Sequence, residues 1–194
     1  MIVLVGASAS GKSTLEKELC KEYGMNKIVS YTTRPMRNGE IDGVDYHFVS
    51  EEKFNELENQ GFFLEIGVYR EWKYASAKKD FTEDSVAVLT PEGAKELLKY
   101  NETLENKFDV ITIYIDVDQR SRLIKLLQRG DDIDEAIRRN QSDALMFMNT
   151  ENEVDYVIKN YEYRFDVEYM VSIVHQILED HYIGEYHKYY GGNN

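Results

Sequence analysis

The sequence predicts an α/β fold: a mainly parallel sheet covered by helices on both faces, with a small β-rich insertion. Three observations carry that expectation. The opening IVLV (2–5) is a short apolar run ending at a glycine turn, followed by a helical pattern, the start of an α/β unit. Further apolar runs, SVAVLT (85–90), DVITIYI (109–115) and EVDYVIKN (153–160), alternate with helical stretches, as buried parallel strands do. Between residue 27 and about residue 81 the texture changes to short β-like pieces broken by glycine turns.

The elements follow in order. After GASASG, the stretch KSTLEKELCKEYG places Leu15, Leu19 and Tyr23 at helical spacing, with Gly24 as a stop. In the insertion, KIVSYTT and DYHFV read as strands. SEEKFNELENQG reads as a helix, with Ser50 as N-cap, acids in the first turn and Gly61 at the end. Pro91 starts a helix over PEGAKELLKY. Two charged helical stretches, QRSRLIKLLQRG and DIDEAIRRNQSDALMFM, come next. The last helix, VEYMVSIVHQILEDHY, carries Val167, Met170, Val174, Ile177 and Leu178 on one face. The tail 184–194 is expected to fray.

At 194 residues, 42% hydrophobic and 30% charged, the chain suits a single globular domain with inserted subdomains. The net charge of −13 argues against a nucleic-acid or anionic-membrane surface, which needs a field of the opposite sign. It leaves room for a local cluster of cations around a small anion. Cys20 is the single cysteine and cannot form an internal disulfide. The N-terminus has no basic leader, and no run approaches the roughly 20 apolar residues of a membrane span. The expectation is a cytoplasmic protein with neither nucleic-acid nor membrane partners.

GASASGKS, from Gly6 through Ala7, Ser8, Ala9, Ser10, Gly11 and Lys12 to Ser13, matches the phosphate-loop pattern G-x-x-x-x-G-K-[ST]. Small residues let the backbone wrap an anion with its N–H groups inward. Lys12 can reach the β- and γ-phosphates, the Ser13 hydroxyl can ligate Mg²⁺, and the following helix turns its positive end, including Thr14, toward the same anion. A plain glycine turn containing Lys-Ser is the competing account. The full pattern in a strand-to-helix context disfavours it, and ATP-like phosphate binding is the reading.

A second anion site is suggested by SYTTRPMRNGEIDGVDYHF (30–48). Arg34 and Arg37 lie three apart where Pro35 and two glycines oppose a helix, so they can converge on one phosphate, with Tyr46 adding a hydroxyl. On spacing alone, two solvated loop arginines are an equal alternative.

GASASGKSTL, VSYTTRPMRNGEIDGVDYHFVS and GFFLE, in this order and at these separations, closely resemble the guanylate kinase family. The resemblance is strong over about residues 1–76 and weaker but collinear beyond. It implies a P-loop NTPase fold with a core (1–26, 85–118 and 152–183), an inserted GMP-binding subdomain (27–84) and a helical lid (119–151). It also implies that Arg34, Arg37, Tyr46 and Tyr74 meet the phosphate of GMP, and Ser30, Glu65 and Ser76 the guanine. On the lid it implies that Arg129 and Arg139 close over ATP, with Arg122, Lys125 and Arg138 as weaker candidates, and that Asn160 holds the adenosine end. Lys12, Arg34, Arg129 and Arg139 are then the catalytic set, with Mg²⁺ as the cofactor of ATP. Chemically, the Glu65 carboxylate can accept from guanine N1–H and the 2-amino group, a donor pair adenine lacks.

The sequence also departs from that pattern. Ala75 replaces a glycine in the family's Y-G-[ST] element. Where the family carries Asp-x-Asp, this chain has Val88 and Thr90, so the metal and the base each lose a carboxylate, and Thr90 offers the base a hydroxyl. Asp116 and Asp118 read as helix caps. Cys20 and His47 read as structural, and Trp72 has no assigned chemistry. Two alternatives therefore stand beside transfer to GMP or dGMP: a P-loop kinase of another nucleotide or phosphorylated small molecule, and a non-catalytic binding module.

Overall fold

The computed structural model describes residues 1–37, 39–69, 71–184 and 186–191. Its main sheet has six strands in the order β10-β9-β8-β1-β7-β2, every neighbouring pair parallel. These are β1 (Ile2–Val5), β2 (Asn26–Lys27), β7 (Ser85–Leu89), β8 (Ile111–Asp116), β9 (Tyr156–Lys159) and β10 (Tyr189–Tyr190). Strand alternation explains the two cores. Ile2 and Leu4 of β1 face a cluster with Leu15 and Leu19 of α1 (Lys12–Tyr23) and with Val174 and Ile177 of α6 (Val167–Ile183). Val3 and Val5 face the opposite cluster, with Ala94 and Leu97 of α3 (Pro91–Glu102). Each of these buried Val, Leu and Ile side chains contributes about 1.5–3 kcal/mol. Helices therefore cover both faces.

A second sheet, β4-β3-β6-β5, is built from β3 (Tyr31–Thr32), β4 (His47–Phe48), β5 (Phe63–Tyr69) and β6 (Trp72–Ala77). Its own small core joins Phe54 of α2 (Glu51–Asn59) to Phe63 and Ala75. Ser50 caps α2 by accepting from Lys53 N–H, and Gly61 follows the helix at φ 66°, as the sequence indicates. Helices α4 (Gln119–Gln128) and α5 (Ile133–Met146) pack on each other beside the phosphate loop.

One expectation needs correction. The tail does not simply fray: Tyr189 and Tyr190 extend the main sheet by pairing with Val157 and Ile158. The Tyr190 ring is buried and its hydroxyl donates to Asp180 at 2.6 Å. The aromatic tail finds apolar surface at the sheet edge, which local sequence does not reveal. Residues 185 and 192–194 of that tail lie outside the described residues. Among the described residues, no helix is long and apolar enough to cross a membrane.

Candidate active site

The phosphate loop leaves β1 between the C-terminal ends of β7 and β8, where the sheet changes its direction of growth. A Cβ on Gly6 would lie 2.7 Å from Ser10 Oγ and 3.0 Å from the Ile115 carbonyl oxygen, so only glycine fits there. Gly11, at φ 95°, turns the chain into α1. Lys12 folds over the loop, donating to Ala7 O at 2.7 Å and Ser10 Oγ at 3.3 Å. Burial pulls its ammonium down to about 8, with Asp143 opposing. A cavity of about 420 Å³ opens here, lined by Ala9, Ser10, Gly11, Lys12, Ser13, Thr14, Lys125, Gln128 and Arg129.

The two arginines hang from the second sheet. Thr32 Oγ1 donates to Lys73 O (3.0 Å) and accepts from Arg34 N–H (3.1 Å), while Thr33 Oγ1 accepts from Lys73 N–H (2.9 Å). The Thr-Thr pair thus fixes the loop on β6. The Arg34 guanidinium is buried, lies 5.4 Å from the Tyr46 ring centre, and forms a two-bond fork with Glu40 at 3.0 and 2.7 Å. Burial disfavours its charge, but the Glu40 pair more than offsets this and holds the guanidinium above its ordinary value. The same pairing holds Glu40 below the usual carboxylate range. Tyr46 and Tyr74 meet edge-on at 5.8 Å beside this pair. Arg37 is exposed; its backbone N–H donates to Glu40 at 2.7 Å.

Ser30, Ser76 and Glu65 come together as a chain. Ser76 Oγ donates to Glu65 Oε1 at 2.9 Å and contacts Ser30 Oγ at 3.1 Å. Burial pushes the Glu65 carboxyl up to about 6, against the Ser76 hydrogen bond. The carboxylate lies against the N-terminal turn of α3, with Oε2 3.6 Å from where a Gly93 Cβ would stand. Thr90 is half-occupied: its Oγ1 caps α3 by accepting from Gly93 N–H at 3.1 Å.

The other expected residues are divided between the cavity and local structural contacts. Arg129 reaches the donor cavity, with its guanidinium paired to Asp131. Arg139 does not line that cavity; it pairs with Glu135 at 2.7 Å and Asp131 at 3.5 Å. Both ends of the buried Asn160 amide close a turn onto Phe165, at 3.1 and 2.9 Å. Asp118 caps α4, as its position suggested, but Asp116 instead accepts from the Tyr161 hydroxyl at 2.6 Å. Val88 pairs beside Leu4 and packs under the core, leaving no carboxylate there.

Three residues emerge that the sequence reading missed or underweighted. Glu40 occupies the Arg34 fork; the Gly-Glu step six residues on was its only signal. Lys125 lines the donor cavity four residues before Arg129, on the same face of α4. Asp143 of α5 is buried, accepts from Ser8 N–H of the phosphate loop at 2.7 Å and faces Arg122 at 3.5 Å. Nothing local marks a contact spanning 135 residues.

A family model described as Guanylate kinase matches residues 1–181. The guanylate kinase of Blochmanniella floridana is 30% identical over 200 residues, covering 98% of this chain and 91% of its own. That of Sulfurimonas denitrificans is 34% identical over 168 residues, covering 82% and 79%. The crystal structure of guanylate kinase from Anaplasma phagocytophilum superposes with a TM-score of 0.68 at 24% identity, over 93% of this chain and 85% of that one, a likeness of fold.

Proposed function

The chain belongs to the guanylate kinase family, and from that premise we propose that it transfers the γ-phosphoryl group of ATP to GMP or dGMP. The family-level activity is phosphoryl transfer to a nucleoside monophosphate; guanine as the acceptor base is the proposal. The observation that carries it is the Ser30–Ser76–Glu65 chain standing beside the Arg34, Tyr46 and Tyr74 cluster. A half-buried carboxylate with spare lone pairs suits the N1–H and 2-amino donors of guanine, and the Ser30 hydroxyl suits O6.

In the reaction, a phosphate oxygen of GMP forms a bond to the γ-phosphorus as the bond to the ADP oxygen breaks. The attacking oxygen is already anionic, so no general base is required. The protein's task is positioning and neutralising spread negative charge. Lys12 and the loop N–H groups hold the donor phosphates, Arg129 and Lys125 approach from α4, and Arg34 and Arg37 hold the acceptor. Among the described residues there is no cluster of three or more His, Cys, Asp or Glu that could hold a metal ion. The donor set fits Mg²⁺ bound through Ser13 with the remaining ligands from phosphate and water. When bound, Mg²⁺ would neutralise charge on the donor phosphates.

The test is ADP release with MgATP against GMP, dGMP, AMP, CMP, UMP and dTMP. GMP and dGMP are expected to stand well above the rest, and Lys12→Ala to abolish the activity. GMP performing no better than AMP would overturn the acceptor assignment.

A further inference from the structure

Ser30, Ser76 and Glu65 form the base end of the proposed acceptor pocket. Resting on the function proposed above, we infer that the pocket reads the 6-oxopurine edge and discriminates weakly at the 2-position, so that IMP is an acceptor alongside GMP, with Thr90 setting this tolerance.

The hydrogen-bond inventory leads there. Ser76 has a single hydroxyl hydrogen, and it is donated to Glu65 Oε1 at 2.9 Å. At the 3.1 Å contact between the two serines, Ser30 is therefore the donor. The row runs Ser30 to Ser76 to Glu65 and ends on a carboxylate. Ser76 engages one of its roughly four lone-pair sites. N1–H of a 6-oxopurine gives that carboxylate the donor it needs, and O6 accepts the Ser30 hydroxyl hydrogen, which turns to it from Ser76. Both features are shared by guanine and hypoxanthine. Adenine offers an unprotonated N1 to the carboxylate and is repelled.

The 2-amino group is what separates guanine from hypoxanthine. Its hydrogens have Glu65 and whatever stands at the N-terminal turn of α3. Thr90 Oγ1 and Glu65 Oε2 flank the same point, 3.3 and 3.6 Å from where a Gly93 Cβ would stand. Thr90 is neutral, and its oxygen already accepts from Gly93 N–H. Pro91, next in the turn, has no N–H and no polar side chain. Glu96, the other acid that acts on Glu65, sits a turn further along α3. Losing the amino group therefore removes one hydrogen bond to a carboxylate that N1–H still satisfies. No buried charge is left unpaired, the situation that produces rejection by ~10⁴-fold or more. One hydrogen bond to a charged group is worth roughly 10- to 100-fold.

The experiment compares kcat/KM for GMP and IMP in the parent, Thr90→Asp and Thr90→Ser, with thermal unfolding of each. Aspartate caps a helix as well as threonine does, so the fold is preserved while a second carboxylate is added beside the amino group. The parent is expected to prefer GMP by no more than about 100-fold, Thr90→Asp to raise that ratio at least about tenfold, and Thr90→Ser to leave it unchanged. A parent ratio above about 100-fold, or a ratio that Thr90→Asp leaves unaltered, overturns the inference. Phosphorylation of GMP without IMP sinks this inference alone. Phosphorylation of neither, with another monophosphate accepted, sinks the proposed function.

Discussion

Glu65→Gln separates what Glu65 does for the fold from what it does for the acceptor. The folded chain holds this carboxyl at about 6, up from 4.5, because burial penalises its charge. That difference corresponds to about 2 kcal/mol of unfavourable charge burial. Since the folded value is raised, the penalty is absent below about pH 4.5 and fully present above about pH 6. A glutamine retains an oxygen to accept from Ser76 and carries no charge. Relative to the parent, Glu65→Gln is therefore expected to be more stable by up to about 2 kcal/mol at pH 7.5, and by little at pH 4.5.

The functional effect runs the other way. An amide cannot accept both N1–H and the 2-amino group as a carboxylate does. The variant is expected to lose about 10- to 100-fold in kcat/KM for GMP with an unchanged KM for ATP. In the parent, kcat/KM for GMP should decline as pH falls through about 6, where Glu65 takes up its proton, and this limb should flatten in the variant. Urea unfolding at both pH values and steady-state kinetics measure these quantities. A variant less stable than the parent at pH 7.5, or one that uses GMP as well as the parent, refutes the reasoning.

Two further outcomes are expected. Gly6→Ala pushes a methyl group to 3.0 Å from the Ile115 carbonyl oxygen, which no side-chain rotation relieves, so it should lower stability by about 1–3 kcal/mol and weaken ATP binding in titration calorimetry. Normal ATP affinity in that variant would mean the loop relaxes freely. Arg37→Ala, at an exposed guanidinium on the acceptor side, should raise KM for GMP by about tenfold or more while sparing that for ATP. Equal losses on both substrates would remove Arg37 from the acceptor site.

The sequence was most legible where structure is local. The phosphate loop, the Ser50 cap, the Pro91 helix start and the alternation of β1 into two cores each depend on a few neighbouring residues. The residues proposed for the acceptor, Thr90 apart, lie within residues 30–76, where pattern matching can bring them together. Contacts between distant segments were not legible. Asp143 meets Ser8 across 135 residues, and Tyr190 finds β9 only because the main sheet has an open edge. The Arg139 ion pair was legible locally: Glu135 sits one turn earlier at the spacing of a helix ion pair.

A common device links several of these pairs. Glu40 fills the fork of Arg34, Asp131 holds Arg129, and Asp143 takes the Ser8 N–H of the phosphate loop. In a chain of net charge −13, Arg34 and Arg129 are thus each held by a tethered carboxylate before substrate arrives, while Lys12 rests on Ala7 O and Ser10 Oγ. In the proposed function, binding a phosphate is an exchange of one anion for another rather than the filling of an empty cationic hole. A tethered carboxylate competes at high effective concentration, so a small monoanion that replaces it on Arg34 alone gains nothing. A phosphate dianion gains because its several oxygens can engage Arg34, Arg37, Tyr46 and Tyr74 together, a set that Glu40 with two oxygens cannot satisfy at once. On that reading Glu40 would act as a threshold: it keeps the buried Arg34 charge compensated in the free chain and would admit only anions with enough oxygens to use the whole cluster.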